Sequence, residues 1–143
     1  MKTLLIYTDG AAKGNPGPAG VGIVFLDKNA KLISSFKKFI GEATNNQAEY
    51  RALVFALQKA QELKPKKIEV YMDSKLVVEQ INGNYKIKNK ELKKTFWQIR
   101  DLIIELGGRV EFQYIPREKN KLADKLANQA IDEQKTAHKQ KSA

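Results

Sequence analysis

Residues 3–10, Thr-Leu-Leu-Ile-Tyr-Thr-Asp-Gly, constrain the fold of this chain more than any other stretch. Bulky side chains occupy both alternating faces of this segment, which is typical of a central strand in a sheet that is covered on both sides. The segment therefore predicts a buried strand over residues 3–9 that ends in Asp9. A carboxylate in that position is costly unless its charge is compensated, so Asp9 is the first candidate for a chemical role. The Gly- and Pro-rich residues 10–19 predict a loop.

Length and composition limit the classes of protein to consider. The chain has 143 residues, of which 42% are hydrophobic and 29% charged, and these values predict one globular domain. We assign residues 1–133 to that domain and residues 134–143 to a polar, basic, frayed tail. The absence of Cys excludes disulfides, thiolate metal sites and cysteine nucleophiles. The apolar runs are too short for a secretory signal or a membrane span, so we expect a cytoplasmic protein without membrane contact.

The charge balance points towards an anionic partner. The net charge is +10, from 26 Lys and Arg against 16 Asp and Glu. Such a surplus favours a polyanionic partner, either nucleic acid or an anionic membrane face. A lysine-rich solubilising surface would explain the same composition, and composition alone does not decide between the two explanations.

Periodicity and turn residues predict nine elements. Three strands in meander order come first, and the order is then helix, strand, helix, helix, strand, helix, over residues 3–9, 20–27, 31–40, 44–63, 66–72, 74–81, 89–106, 109–115 and 120–133. Thr44, Ser74 and Asn120 are expected to cap helices. The βαβ arrangement makes the first and fourth strands parallel neighbours. We assign Trp97, beside the apolar stripe of the third helix, to packing.

Four acids stand out by their positions. Asp9 and Asp73 end predicted strands, Glu49 shares the sheet-facing stripe of the first helix, and Asp124 lies at the inner edge of the last helix. Carboxylates without Cys or His partners suit hard cations such as Mg²⁺ or Mn²⁺. Two such ions about 4 Å apart activate water and stabilise a leaving oxygen in phosphodiester cleavage. Spacing alone leaves open that these are four solvated or salt-bridged acids.

Four sequence blocks closely resemble the signature blocks of type 1 ribonuclease H. They are Tyr-Thr-Asp-Gly with Gly-Asn-Pro-Gly-Pro, Thr-Asn-Asn-Gln-Ala-Glu, Met-Asp-Ser, and Asn-Lys-Leu-Ala-Asp-Lys-Leu-Ala, and the similarity extends from residue 3 to about residue 131. The resemblance implies an α/β ribonuclease H-like fold, a mixed five-stranded sheet of order 3-2-1-4-5 with helices on both faces. It also implies an Mg²⁺-dependent endonuclease that uses two metal ions to cut the RNA strand of RNA/DNA hybrids, leaving 5′-phosphate and 3′-hydroxyl ends, with Mn²⁺ as a substitute ion.

The resemblance also implies roles for individual residues. Asp9, Glu49, Asp73 and Asp124 would be the catalytic, metal-binding acids, with Asp9 bridging both ions and Glu49 near the attacking water and the 2′-hydroxyl. Thr44, assisted by Asn89, would hold a phosphate of the DNA strand. The remaining expected substrate contacts, made by side-chain amides, by one hydroxyl and by close backbone approach, are Gly10, Gly14, Asn15, Asn45, Asn46 and Ser74. Helix capping is the alternative role of Thr44 and Asn45.

The chain departs from the family pattern in two places. Many bacterial members carry a long basic, Trp-containing insertion where this chain has only residues 82–89, so substrate grip would rest on the general lysine surface, on Lys86 and Lys88, or on the tail. The histidine of the flexible loop before the last helix is also missing, and Arg117 or Glu118 is the candidate substitute. We take His138, beyond the predicted last helix, as a bystander. Together the two departures predict a working but slower enzyme.

Two other functions remain open at this point. One is a nuclease of the same fold that also cuts double-stranded RNA or DNA, and the other is a basic nucleic-acid-binding module without catalysis. Four acids facing a phosphate backbone argue against the second. We expect an RNA/DNA hybrid as the partner, no obligate protein partner, and a monomer.

Overall fold

A five-stranded mixed sheet organises the molecule, in a computed structural model that describes the backbone of residues 1–142 and the side chains of residues 1–137. The strands are β1 (Thr3–Ala12), β2 (Gly17–Leu26), β3 (Leu32–Ala43), β4 (Lys67–Met72) and β5 (Val110–Tyr114). Their order across the sheet is β3-β2-β1-β4-β5, which confirms the predicted order. β1 is antiparallel to β2 and parallel to β4, so it lies at the centre of the sheet as its two apolar faces predicted.

The first hairpin is longer than predicted. β1 does not end at Asp9 but continues to Ala12, and β2 begins at Gly17, so that Asp9 pairs with Gly22 inside the ladder. Only four residues remain in the turn, where the Lys13 N–H donates to Pro18 O at 2.9 Å. The Gly and Pro residues that predicted a loop instead form a tight connection with strand pairing on both sides. Asp9 is therefore held by main-chain hydrogen bonds rather than at a free strand end.

Four helices complete the fold, namely α1 (Asn45–Ala60), α2 (Lys75–Ile81), α3 (Lys90–Glu105) and α4 (Lys121–Ser142). Thr44 and Ser74 cap α1 and α2 as predicted. α4 extends nine residues beyond its predicted end at residue 133, so the expected frayed tail is helical to Ser142. Its polar composition hid this continuation, because a solvated helix and a frayed tail have the same residue types.

Helices cover the sheet on both faces, and the two faces differ in how they are filled. Leu4 and Ile6 of β1 pack with α1 in the main core. On the opposite face α4 packs closely on β2, where a Cβ added at Gly22 would lie 2.1 Å from Ala123 O. Because β2 has no side chain at that point, α4 approaches the sheet backbone directly. This approach carries the first turn of α4, including Asp124, to the level of Asp9.

Trp97 is not part of the core. Its side chain is 63% exposed on α3 and contacts Phe96 edge-to-face at 5.5 Å between ring centroids. The assignment of Trp97 to packing was therefore wrong. Phe96, the preceding residue, lies on the apolar stripe of α3 and packs against the core, whereas Trp97 points into solvent. In the described part of the chain no helix has both the length and the apolar composition to cross a bilayer.

Candidate active site

Three of the four predicted acids meet beside β1 at the point where its parallel pairing with β4 ends. Asp9, Glu49 and Asp73 each offer a carboxylate oxygen, and these oxygens lie within 4.8 Å of one another. Asp9 and Glu49 are buried, and Asp73 is half-buried. The residues come from three separate elements, so the tertiary fold rather than any local motif creates the cluster.

The sheet sets the positions of Asp9 and Asp73. Thr8 and Met72 are partners in the parallel ladder of β1 and β4, and each acid follows its partner residue in the chain. Because side chains alternate along a strand, Asp9 points away from the main-core face of Leu4 and Ile6, towards the face on which α4 packs, and Asp73 is hydrogen-bonded by Asn120 just before α4. The fourth strand was predicted over residues 66–72, and β4 ends at Met72 as predicted, with Asp73 directly after it.

Glu49 is brought to the sheet by the second turn of α1. Its Oε1 accepts a hydrogen bond of 2.5 Å from the backbone N–H of Gly10. A Cβ at Gly10 would lie 2.3 Å from Ala48 O, so only glycine lets α1 approach β1 this closely. The inward direction predicted for Glu49 from its helical stripe is confirmed by its burial.

Asp124 lies beside this cluster rather than within it. It is half-buried in the first turn of α4, where a hydrogen bond with Asp9 raises the pKa of Asp9 and its charge raises the pKa of Asp73. The side-chain amide of Asn128, one turn later, donates to Asp124 Oδ1 at 3.2 Å. The prediction that Asp124 sits at the edge of the inner face of α4 therefore agrees with the structure, and Asn128 restrains its carboxylate.

Burial and mutual repulsion raise the pKa values of Asp9, Glu49 and Asp73. Burial raises the pKa of Asp9, and the charge of Glu49 raises it further. Burial also raises the pKa of Glu49, although hydrogen bonds from Asp9 and from the Gly10 N–H oppose the shift. The pKa of Asp73 is raised by burial as well, against the lowering effects of the Asn120 carboxamide and the Arg117 charge. A bound cation would reverse these shifts by favouring the ionised carboxylates.

The donor set fits a hard divalent cation. Glu49 Oε2 is buried and has no hydrogen-bond partner among the described residues. Oxygen ligands on carboxylates, close together and without a nitrogen or sulfur ligand, are what Mg²⁺, Mn²⁺ and Ca²⁺ select. Buried oxygens normally have a hydrogen-bond partner, so an unpartnered oxygen inside an acidic cluster indicates a position that a cation would occupy.

Asn120 is a site residue that the sequence did not reveal. It is buried just before α4, and its Nδ2 donates to Thr8 O at 2.9 Å. The side chain thus binds the β1 backbone one residue before Asp9 and faces Asp73, instead of capping the helix as predicted. Its position four residues before Asp124, about one helical turn, could have indicated that it lies near the acids. An Asn before a helix, however, ordinarily indicates only a cap.

The predicted substrate residues around the first hairpin are tied together by their own hydrogen bonds. Asn15 Oδ1 accepts from the Asn45 N–H at 3.0 Å, and Asn45 Oδ1 accepts from the Ala12 N–H at 3.1 Å. Each amide oxygen is thereby engaged inside the protein. Thr44 forms a capping box with Gln47, so its capping role is confirmed. These residues form one hydrogen-bonded group at the start of α1, close in the chain to the buried Glu49.

The other expected contact residues occupy turns and helix starts. Gly14 has a φ of 105° in the hairpin turn, which requires glycine, and Asn46 is exposed in the first turn of α1. Ser74 Oγ accepts from the Val77 N–H at 3.3 Å, and Asn89 Oδ1 accepts from the Leu92 N–H at 3.1 Å. Ser74 directly follows the acid Asp73 in the chain. Asn89 caps the start of α3 and is not adjacent in sequence to any of the four acids.

The loop before α4 brings a positive charge to the acids. Residues 117–119 form a short 3-10 turn, and the Arg117 charge acts on both Glu49 and Asp73. Arg117 is exposed and forms no ion pair within the described part of the chain. Arg117, one of the two residues considered as substitutes for the absent histidine, thus brings its charge within reach of the site. The side chain of His138 lies outside the described residues.

Comparisons with known proteins agree with this arrangement. The Reverse transcriptase-like family model matches residues 7–130. A bifunctional protein of Mycobacterium tuberculosis is 42% identical over 130 residues, which are 90% of this chain but 35% of that protein. A ribonuclease H of Alcanivorax borkumensis is 34% identical over 163 residues, covering 100% of this chain and 99% of the relative. The crystal structure of LC11-RNase H1 in complex with an RNA/DNA hybrid is similar with a TM-score of 0.88 and 46% identity, over 91% of this chain and 97% of that one.

Proposed function

This chain belongs to the type 1 ribonuclease H family, and we propose that it is an endoribonuclease that cuts the RNA strand of RNA/DNA hybrids. The reaction is a hydrolysis that leaves a 5′-phosphate and a 3′-hydroxyl, and it requires two divalent cations, Mg²⁺ or, as a substitute, Mn²⁺. The catalytic domain comprises residues 1–133 and acts as a cytoplasmic monomer without an obligate partner. The crystallised relative that binds an RNA/DNA hybrid supports this substrate class.

One observation carries the proposal. Carboxylate oxygens of Asp9, Glu49 and Asp73 approach one another within 4.8 Å in a buried setting, and Glu49 Oε2 has no partner among the described residues. Like charges this close destabilise the fold unless a cation is bound between them. A purely structural or nucleic-acid-binding role gives no reason to keep such an arrangement.

The chain's own residues divide the work of holding the ions and the substrate. Asp9, the central acid of the cluster, would be shared between the two ions, with Glu49 and Asp73 as further ligands and Asp124 completing the set. Bound there, the ions would polarise a water and stabilise the leaving oxygen. Glu49, fixed by the Gly10 N–H, orients the attacking water, and Asn128 keeps the Asp124 carboxylate directed at the site.

Recognition of the RNA strand falls to the surface at the start of α1. Asn15 and Asn45 use their amide oxygens internally, so each presents an NH₂ group outward as a donor. The 2′-hydroxyl distinguishes RNA from DNA and accepts such donors in the minor groove. Asn46, Ser74 and the backbones of Gly10 and Gly14 complete this contact surface.

Recognition of the DNA strand would use Thr44 and Asn89, whose hydroxyl and amide can bind a phosphate. Arg117 takes the place of the absent loop histidine as a charged group near Glu49 and Asp73. An arginine does not release its proton near neutral pH, so it would assist by attracting phosphate and not by proton transfer. This difference supports a slower reaction than in members that carry the histidine.

The test is cleavage of end-labelled RNA/DNA, RNA/RNA and DNA/DNA duplexes of one sequence with Mg²⁺ and with Mn²⁺. We expect cleavage of the RNA strand of the hybrid and no cleavage by Asp9→Asn. Asp101→Asn, which neutralises an exposed acid of α3, is the matched control and should cut normally. An intact hybrid under both metals would refute the proposal, and equal cutting of RNA/RNA would extend the substrate to double-stranded RNA.

A further inference from the structure

The connection between α2 and α3 is ordered although it has no regular secondary structure. This segment, residues 82–89, is here called the lysine connector. At its start the Asn82 side chain donates to Phe112 O at 3.3 Å, and the Asn84 backbone N–H donates to Glu79 O at 2.8 Å. At its end Asn89 caps α3. Both ends are therefore attached to the body of the protein.

A buried polar bridge holds the middle of the lysine connector. The hydroxyl of Tyr50 donates to Gln80 Oε1 at 2.6 Å, and Gln80 Nε2 donates to Lys86 O at 3.3 Å. Tyr50 and Gln80 are both buried. Burying a hydroxyl and an amide is unfavourable unless they are paired. Here the two groups satisfy each other and fix the backbone at Lys86, so Gln80 links the core to the connector.

An apolar anchor lies next to this bridge. Ile87 is half-buried and packs against the main core, whereas Lys86 and Lys88 on either side of it are exposed. With the intervening side chain turned inward, the two lysines project towards solvent. Within the described residues neither lysine forms an ion pair, and the nearby Glu91 is instead 3.9 Å from Lys94. Two uncompensated positive charges are thus presented from a fixed backbone.

The lysine connector lies beside the surface that would contact nucleic acid. Tyr50, at one end of the bridge, is the residue after Glu49. At the start of α3, Glu91 lines the same surface groove as Gln47 from the first turn of α1. The connector therefore runs along α1 on the side of Thr44 and the acids. A duplex that is bound at the acids and extends past the start of α1 towards α3 would come close to its charges.

We propose that Lys86 and Lys88 bind backbone phosphates of the uncut DNA strand, and that Gln80 is a positioning residue that holds them in place. This inference rests on the proposed function, because it takes the hybrid as the ligand. A lysine on a fixed backbone loses less freedom on binding than one on a mobile loop. Gln80 thus contributes to affinity without touching the substrate.

The first experiment measures hybrid binding at several salt concentrations, with the full chain and without divalent metal so that no cleavage occurs. Lys86→Ala/Lys88→Ala is compared with Lys28→Ala/Lys31→Ala, which removes two exposed lysines from the β2–β3 turn at the opposite end of the sheet. Each pair lowers the net charge of +10 equally. We expect the connector variant to bind about tenfold more weakly at about 0.1 M salt and to reduce the log–log salt slope by about 1 to 2.

The control pair should leave both the affinity and the slope nearly unchanged. Equal effects of the two pairs would overturn the connector site while leaving the proposed function intact. A wild-type protein that neither binds nor cuts hybrid would overturn the function itself. Replacing DNA phosphates by neutral methylphosphonates should abolish the difference between wild type and the connector variant. If only RNA-strand replacement abolishes it, the assignment to the DNA strand is wrong.

A double-mutant cycle tests Gln80 separately from general stability. Gln80→Met keeps the volume and removes both hydrogen bonds, and Tyr50→Phe removes one of them with little change in shape. We expect Gln80→Met to weaken hybrid binding several-fold when Lys86 and Lys88 are present and hardly at all in Lys86→Ala/Lys88→Ala. Tyr50→Phe should act in the same way but more weakly. An equal loss in both backgrounds would mean that Gln80 supports only folding, and would refute its positioning role.

Discussion

The backbone N–H of Gly10 donates a hydrogen bond of 2.5 Å to Glu49 Oε1, and this contact joins the central strand to the first helix at the acidic site. A methyl group at Gly10 would overlap the Ala48–Glu49 backbone, which lies 2.2 to 2.4 Å from the Cβ position. We expect Gly10→Ala to lower the free energy of unfolding by at least about 3 kcal/mol. Hybrid cleavage should fall at least about a hundredfold, because Glu49 loses its place.

Gly107→Ala provides the comparison for that variant. Unlike Gly10, Gly107 has a positive φ, and no atom lies within 4 Å of its Cβ position. Only backbone strain of about 1 kcal/mol is expected there, with normal cleavage. Urea unfolding and single-turnover cleavage measure the two effects. Similar losses at both glycines would contradict the close approach of α1 to β1.

The raised pKa values of Asp9 and Glu49 predict how stability depends on pH. Because burial raises the pKa of Asp9 above its ordinary value of 3.8, the metal-free folded protein retains protons that the unfolded chain releases. Stability without metal should therefore fall as pH rises above about 4. Asp9→Asn should make this fall shallower and stabilise the metal-free protein at pH 8 by at least about 1 kcal/mol.

Thermal unfolding between pH 5 and pH 9, in EDTA and in Mg²⁺, measures this effect. Mg²⁺ should raise the Tm of the wild type more at high pH, since protons compete with the cation for the same oxygens. Asp101→Asn is the control and should follow the wild type. A wild-type Tm that rises with pH in EDTA would show that ionisation of the buried acids does not destabilise the metal-free protein.

Asn120 is expected to support the site through the backbone of β1. Asn120→Asp keeps the shape, removes the amide donor to Thr8 O and adds a negative charge facing Asp73. We expect a loss of about 1 to 3 kcal/mol in stability and a higher Mg²⁺ concentration for half-maximal cleavage. Asn128→Asp, which removes donors to Asp124 O and Oδ1 within α4 and leaves the β1 backbone untouched, should have a smaller effect. An unchanged Mg²⁺ requirement in Asn120→Asp would contradict the expectation that Asn120 supports the acidic site.

Thr44 has both a capping and a proposed phosphate-binding role, and substitution can separate them. Thr44→Val should lower stability by about 1 kcal/mol, because the N–H of Gln47 loses its acceptor. Thr44→Asp should keep the cap yet repel phosphate, so binding of hybrid should weaken while stability is retained. Thr44→Ser should restore both. If Thr44→Asp binds hybrid as well as the wild type, the DNA phosphate does not contact Thr44.

The family resemblance implied the strand order, and local sequence signals agree with it. The apolar faces of residues 3–9 placed β1 at the centre, and the short turn at residues 27–30 predicted the β2–β3 hairpin. Helical periodicity also oriented Glu49 correctly, since its stripe contains Leu53 and Ala56, which are buried with it. These features depend on side-chain patterns within a few residues.

The features that the sequence did not reveal depend on distant contacts. β1 extends to Ala12 because β2 pairs with it, and no pattern within residues 10–12 indicates that partner. Asn120 lies just before α4 and Gln80 lies within α2, and polar residues are common in both positions. Only the fold shows that each is buried and donates a hydrogen bond to a particular carbonyl group. Trp97 illustrates the opposite error, because a large aromatic side chain beside an apolar stripe suggested packing that the helix does not provide.

Asp9 and Asp73 each follow one member of the register pair Thr8 and Met72, so their starting separation is the distance between hydrogen-bonded strands. That distance is about 4.8 Å in any sheet. The central dimension of the acidic site is therefore a property of peptide geometry and not of the side chains around it. Loops, connectors and surface charges can diverge freely in such a protein, while the gap that a reacting phosphate meets keeps the same width.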